Sequence, residues 1–208
     1  DREIEFIPDT EGLQERKKNE LGLVRPEIAV LMAYVKISLK QQIINSKIPE
    51  DKFAFAYLES AFPKVLKERY ESVMREHRLY REIIATQLSN ALVNEMGINF
   101  VQRLKDETGA DTCDIVRGYI IARALFDVPG LREKVVALGC SVAADVQSQL
   151  LYEIIRLTRR ATRWLLRHRR HLMNIHETIE TFKPQIDTVA SLVPTSLRSS
   201  AKKAMEET

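Results

Sequence analysis

The sequence predicts an all-α fold, an irregular multi-helix bundle, and three observations carry that expectation. Apolar residues recur at i, i+3, i+4 and i+7 in one segment after another, the spacing of a single helix face. Glycine and proline are scarce, seven of each in 208 residues, while Leu, Ala, Arg, Glu and Lys are abundant; that usage favours helices over sheets. No stretch alternates apolar and polar residues long enough to propose a strand, and neither an internal repeat nor a low-complexity linker interrupts the chain. With 45% hydrophobic and 29% charged residues the composition is globular, and the length suffices to bury a core without disulfide or metal support.

Taken in order, residues 1–20 are charged and predict a short helix and a connector. A helix then starts at Pro26, where the missing N–H costs nothing, with Glu27 on the positive end of the dipole. It carries Ile28, Leu31, Met32, Val35, Leu39 and Ile43 on one stripe and ends near Asn45-Ser46, before Pro49. Residues 51–62 predict a short helix with Phe53, Ala56, Tyr57 and Phe62 on its apolar face. Pro63 opens another with Val65, Leu66, Tyr70, Val73 and Met74 inside. Leu79, Ile83, Leu88 and Leu92 mark a helix that Gly97 ends. Phe100, Val101 and Leu104 carry a short helix to Gly109, and Asp111 or Thr112 caps the next, which buries Ile115, Val116, Tyr119, Ile120 and Phe126. Pro129-Gly130 is expected to break the chain before a short helix with Leu131, Val135 and Leu138 that ends at Gly139. Ser141 is expected to cap a long helix from Val142 to about His168, with the stripe Val142, Val146, Leu150, Ile154, Leu157, Ala161, Trp164 and Leu165. A last helix covers Asn174 to Phe182, Pro184 follows, and Pro194 divides two weak amphipathic pieces.

The same residues exclude several kinds of chemistry. A dinucleotide fold needs closely spaced glycines, so that the backbone can approach the pyrophosphate at a helix N-terminus. Here they stand at 12, 22, 97, 109, 118, 130 and 139, no two within three residues, so no cofactor-binding residue is assigned. Cys113 and Cys140 form no short Cys-x-x-Cys pair, which leaves zinc and thioredoxin-type chemistry unsupported and fits a reducing compartment. No apolar run reaches membrane-span length and no signal peptide precedes the fold, so the expected location is the cytoplasm with no membrane partner. Asp106-Glu107 and Glu206-Glu207 are adjacent pairs whose side chains diverge on a helix. Cys113 and Ser141, the only nucleophile candidates, have no histidine near in sequence and read as a buried small residue and an N-cap. His168 and His171 are three apart, as metal ligands can be, but nothing suitable completes a site with them or with His176. His77, beside Arg75 and Arg78, reads as a surface residue. No catalytic and no metal-binding residue is assigned.

One constellation remains. From Arg156 to Arg170 there are seven arginines and no acid, and Arg156, Arg160, Arg163, Arg167 and Arg170 share a helix face. Such a face suits nucleic-acid phosphates or a nucleotide effector, or equally an acidic surface of a larger assembly or plain solvent. The small net charge of +3 and the lack of interleaved aromatics favour the second group of readings over nucleic acid.

Certain motifs say more than their physics. Gly22-Leu23-Val24-Arg25-Pro26-Glu27-Ile28-Ala29-Val30-Leu31-Met32-Ala33-Tyr34-Val35-Lys36-Ile37 resembles the segment just after the catalytic domain in the large, NAD-specific bacterial glutamate dehydrogenases. Arg81-Glu82-Ile83-Ile84-Ala85-Thr86-Gln87-Leu88, Asn94-Glu95-Met96-Gly97-Ile98-Asn99-Phe100-Val101, Arg103-Leu104-Lys105-Asp106-Glu107-Thr108-Gly109-Ala110 and Ala161-Thr162-Arg163-Trp164-Leu165-Leu166-Arg167 are similar to that family in the same order, so the likeness covers almost all of residues 1–183. None of these motifs is catalytic.

The resemblance implies a parent enzyme that oxidises L-glutamate with NAD and water to 2-oxoglutarate, ammonia and NADH. The lysine, carboxylate and cofactor domain that this chemistry needs would lie upstream. The present chain would be part of the C-terminal helical region, holding no NAD itself, with the catalytic domain of the same chain and sister subunits as partners. Its expected organisation is a connector over residues 1–20, a helical accessory domain over 21–183, and the truncated start of a further helical segment over 184–208. Its opening without methionine and its close on a helix-like pattern with no stop signal read as ends cut from something longer. A free-standing nucleic-acid-binding or interaction module using Arg156 to Arg170 is the alternative.

Overall fold

The computed structural model describes residues 7–168 and 174–206. These form ten α-helices and two short 3-10 helices, with no strand among the described residues, as the periodicity predicts. The chain divides into two compact units, Asp1–Glu50 with Phe55–Phe100, and Asp51–Ala54 with Val101–Thr208.

In the first unit, α1 (Thr10–Lys18) starts where the Asp9 carboxylate accepts the Gly12 N–H at 2.7 Å. Helix α2 (Arg25–Ile44) begins one residue before Pro26, which takes the second helical position. Its register buries Leu39 and Ile43 and leaves Ile28, at the far end of the stripe, exposed. Helix α2 packs on α5 (Tyr80–Met96) and on the 3-10 turn Ile48–Glu50; α3 (Phe55–Ser60) packs on α5 and on α4 (Lys64–Met74). Ile43, Ile48, Leu58, Ile84, Leu88 and Leu92 form the fully buried centre, each worth about 2 kcal/mol in area removed from water. Gly97 ends α5 at φ 87°, a conformation that a side chain would strain.

Helix α4 departs from expectation. Only Met74 of its apolar residues is buried, while Val65, Leu66, Tyr70 and Val73 face outward. The helix deviates at Tyr70 (φ −128°, ψ 20°), so its apolar spacing does not map onto one continuous inward face.

In the second unit, α6 (Phe100–Thr108) leads through Gly109 to α7 (Thr112–Leu125), capped by Asp111, whose carboxylate accepts the Asp114 N–H at 2.8 Å. Helix α7 is the centre: it packs along α9 (Ala144–His168) and against α10 (Ile175–Glu206) and α8 (Val128–Ala137). Ile115, Tyr119, Ile121, Leu165 and Leu166 are fully buried; Phe126, expected in the core, is half-buried against Val128, Val135 and Ile154.

Four boundaries differ from the sequence reading. Residues 51–54 form turns rather than the first half of α3. Pro129-Gly130 does not break the chain but lies in the first turn of α8; the break is at Asp127, in the left-handed region at φ 45°, whose side chain caps Gly130. Ser141 is not an N-cap: Val142 is extended (φ −131°), so the helix starts at Ala144, and the Ser141 hydroxyl donates to the Leu138 carbonyl in the 3-10 turn Gly139–Ser141. Helix α10 continues through Pro184 and Pro194 instead of stopping at Phe182. Pro184 is exposed, and so is Glu180, whose carbonyl loses its N–H partner there. The adjacent turn is held by Lys183, whose Nζ donates to the Leu125 carbonyl at 3.0 Å and pairs with Asp187 at 3.1 Å.

Candidate interaction surface on helix α9

Helix α9 buries one face and exposes the other. The buried residues are Ile154, Thr158, Thr162, Leu165 and Leu166. Two threonines belong to that set because each hydroxyl donates to the carbonyl four residues back, Thr158 to Ile154 at 2.9 Å and Thr162 to Thr158 at 2.8 Å, so only their methyl groups need packing. The stripe is therefore rotated away from the expected one. Val146, Leu150 and Trp164 are exposed; Trp164, expected in the core, is 46% exposed. It stacks on His168 with ring centroids 4.8 Å apart and meets the edge of Phe182 at 5.8 Å.

The arginines follow the outer face. Arg156, Arg160, Arg163 and Arg167 are all exposed on α9; Arg170 lies outside the described residues. Arg156 Nη1 is 2.6 Å from Glu153 Oε1, and Arg163 Nε is 3.2 Å from Glu107 Oε2 on α6. Arg159, Arg160 and Arg167 make no ion pair among the described residues. Beside this row, Val146, Gln149, Leu150, Tyr152, Glu153 and Arg156 line an open concavity of about 550 Å³. Several guanidinium groups beside exposed Val146, Leu150, Tyr152 and Trp164 suit a surface that supplies carboxylates around an apolar patch.

The remaining chemistry-bearing residues have local duties. Asp106 accepts from Gln102 at 2.8 Å while Glu107 meets Arg163, so the adjacent acids serve different partners. His168 Nδ1 lies 2.8 Å from the Trp164 carbonyl; His176 Nδ1 lies 3.0 Å from Glu180 Oε2. His171 is outside the described residues. His77 is exposed and accepts the Leu79 N–H at 3.1 Å. Cys113 is half-buried and Cys140 exposed, and neither forms a disulfide. Among the described residues no three potential ligands gather as a metal site, and no helix is long and apolar enough to cross a membrane.

Two polar clusters escaped the sequence reading. Glu27 Oε2 accepts the Val24 N–H at 2.8 Å and Arg16 Nη1 at 2.7 Å. These bonds, the Arg16 one foremost, hold its carboxyl below the usual glutamate range. Arg81 Nη2 donates to the Ile44 and Ser46 carbonyls, both at 2.7 Å, and Nη1 pairs with Glu50 at 2.6 Å. The first had a signal, a glutamate at the third helical position; the second pairs residues over thirty apart and had none.

Comparison with known proteins adds the family. A family model described as glutamate dehydrogenase, C-terminal, matches residues 20–208. The NAD-specific glutamate dehydrogenase of Halomonas elongata is 44% identical over 198 residues, 95% of this chain and 12% of the relative. That of Pseudomonas aeruginosa is 44% identical over 186 residues, 89% of this chain and 12% of the relative. That of Mycobacterium tuberculosis is 31% identical over 207 residues, 100% of this chain and 13% of the relative. The chain thus spans 12–13% of the length of these relatives.

Proposed function

This chain belongs to the glutamate dehydrogenase C-terminal family, and from that premise we propose that it is the non-catalytic helical region of an NAD-dependent enzyme that converts L-glutamate, NAD and water to 2-oxoglutarate, ammonia and NADH. NAD and the reacting groups belong to the rest of the parent chain; this region braces the catalytic domain, joins subunits or transmits regulation in the cytoplasm. The observation that carries the bracing role is the outer face of α9, where Arg160 and Arg167 stand exposed and unpaired among the described residues beside exposed Val146, Leu150, Tyr152 and Trp164. A charged row flanking apolar side chains fits a protein surface better than a solvated face.

The test is glutamate-dependent NADH formation by the full-length parent protein with and without this region. An active parent whose deletion is inactive or disassembled supports the proposal. A parent that makes no NADH from glutamate overturns the enzyme assignment, and a deletion that stays assembled and active overturns the bracing role. The same arginines support a second reading, a nucleic-acid-binding module; it requires binding by this chain that falls steeply with salt.

A further inference from the structure

Exposed apolar side chains are unevenly distributed. Eleven of the seventeen large apolar residues exposed among the described residues belong to the first unit. Four of them lie together on α4: Val65 is 60% exposed, Leu66 41%, Tyr70 51% and Val73 58%. Leu66, Tyr70 and Val73 are spaced four and three apart, but the backbone departs from helical geometry at Tyr70, so exposure rather than regular spacing defines the patch. Two of the cations near them are paired locally, Lys64 with Glu68 at 3.8 Å and Lys67 with Glu59 at 2.7 Å, while Arg69 is exposed with no ion pair among the described residues. An apolar centre with a partly neutralised rim suits an apolar protein surface better than a phosphate or an acidic ligand.

We propose that this α4 face is the surface through which the first unit docks on the remainder of its own polypeptide, in addition to the contact made by α9. The identity of the occupant rests on the proposed function. The relatives match this chain over only 12% of their length, so most of the parent polypeptide lies outside the structure. Covalent attachment presents that remainder at millimolar effective concentration, on the order of 1 mM for a short flexible connection, whereas a second copy must be recruited from solution. Four large apolar side chains exposed to this degree on one eleven-residue helix are the clustering that marks an interaction surface rather than scattered surface residues.

The test uses the full-length parent protein carrying Val73→Cys, or Val136→Cys as comparator, since Val136 is 63% exposed in the second unit. Maleimide labelling is read by peptide mapping, so other cysteines do not interfere. Labelling at position 73 is expected to be about tenfold slower than at position 136, a protection that reads a closed contact, and to stay slow when subunits are separated by dilution. Equal rates at the two positions overturn the proposal. Protection that vanishes on dilution assigns the face to a second copy and also overturns it. NADH formation measured on the same preparations reads the parent assignment separately, because labelling does not depend on turnover.

Discussion

Glu27 ties the start of α2 to α1 by accepting from Arg16 and from the Val24 backbone. Both bonds favour its charged form, so its folded pKa lies below its unfolded one. Its contribution is present in full above the unfolded value and is lost as pH falls through the folded one. The protection of amides across residues 10–30, corrected for the intrinsic slowing of exchange in acid, is therefore expected to fall as pH drops below the ordinary glutamate range. Glu27→Gln should exchange faster already at neutral pH and lose that acid dependence; an unchanged pH profile would count against the latch. Gly130 is a second residue-scale constraint. A Cβ there would collide with the Asp127 carboxylate, displacing the group that caps α8. Gly130→Ala is expected to lose the cap, about 1 kcal/mol, as a lower denaturation midpoint at unchanged slope.

At the scale of elements, Arg81 joins three pieces of chain. From α5 it reaches the Ile44 carbonyl at the end of α2, the Ser46 carbonyl beyond it, and Glu50 in the 3-10 turn. A cation there satisfies orphan carbonyls and complements the negative end of the α2 dipole. Arg81→Ala is expected to cost about 2 kcal/mol, the range for hydrogen bonds to a charged group, with faster exchange concentrated at the C-terminal end of α2. Arg81→Lys should recover only part, because an ammonium lacks the planar fork that spans three acceptors. Helix α9 shows the complementary case: its buried stripe includes two threonines and excludes Trp164, so neither hydropathy nor size alone assigns its inner face.

For the whole molecule, the net charge of +3 conceals a local concentration of positive charge along α9. Salt at 0.1 M largely screens exposed charges more than about 10 Å apart, so a contact made by this exposed row should be salt-sensitive. Arg160→Glu with Arg163→Glu in the full-length parent is expected to weaken assembly or turnover, with the deficit largest at low ionic strength. Light scattering and NADH formation read the two effects. An unchanged oligomer with unchanged turnover would remove α9 from the assembly.

The sequence by itself determined the all-α class, most of the helices, the family and the arginine row, because each rests on local spacing or on ordered motifs. Of the two cap candidates Asp111 and Thr112, Asp111 caps α7, and Gly97 adopts positive φ at the end of α5. Tertiary structure decided which face of each helix turned inward. Periodicity places Val65, Leu66, Tyr70 and Val73 on α4 but cannot say whether a neighbour covers them, and among the described residues none does. It likewise cannot count Thr158 and Thr162 as core, since their burial depends on hydroxyls bonded within the helix and on α7 packed against them. Proline reads locally as a stop, yet α10 continues through Pro184 because its flanking turns are anchored by Phe182 on Trp164 and Lys183 on the Leu125 carbonyl. Contacts made by residues distant in the chain leave no local mark, so the sequence alone could not reveal them.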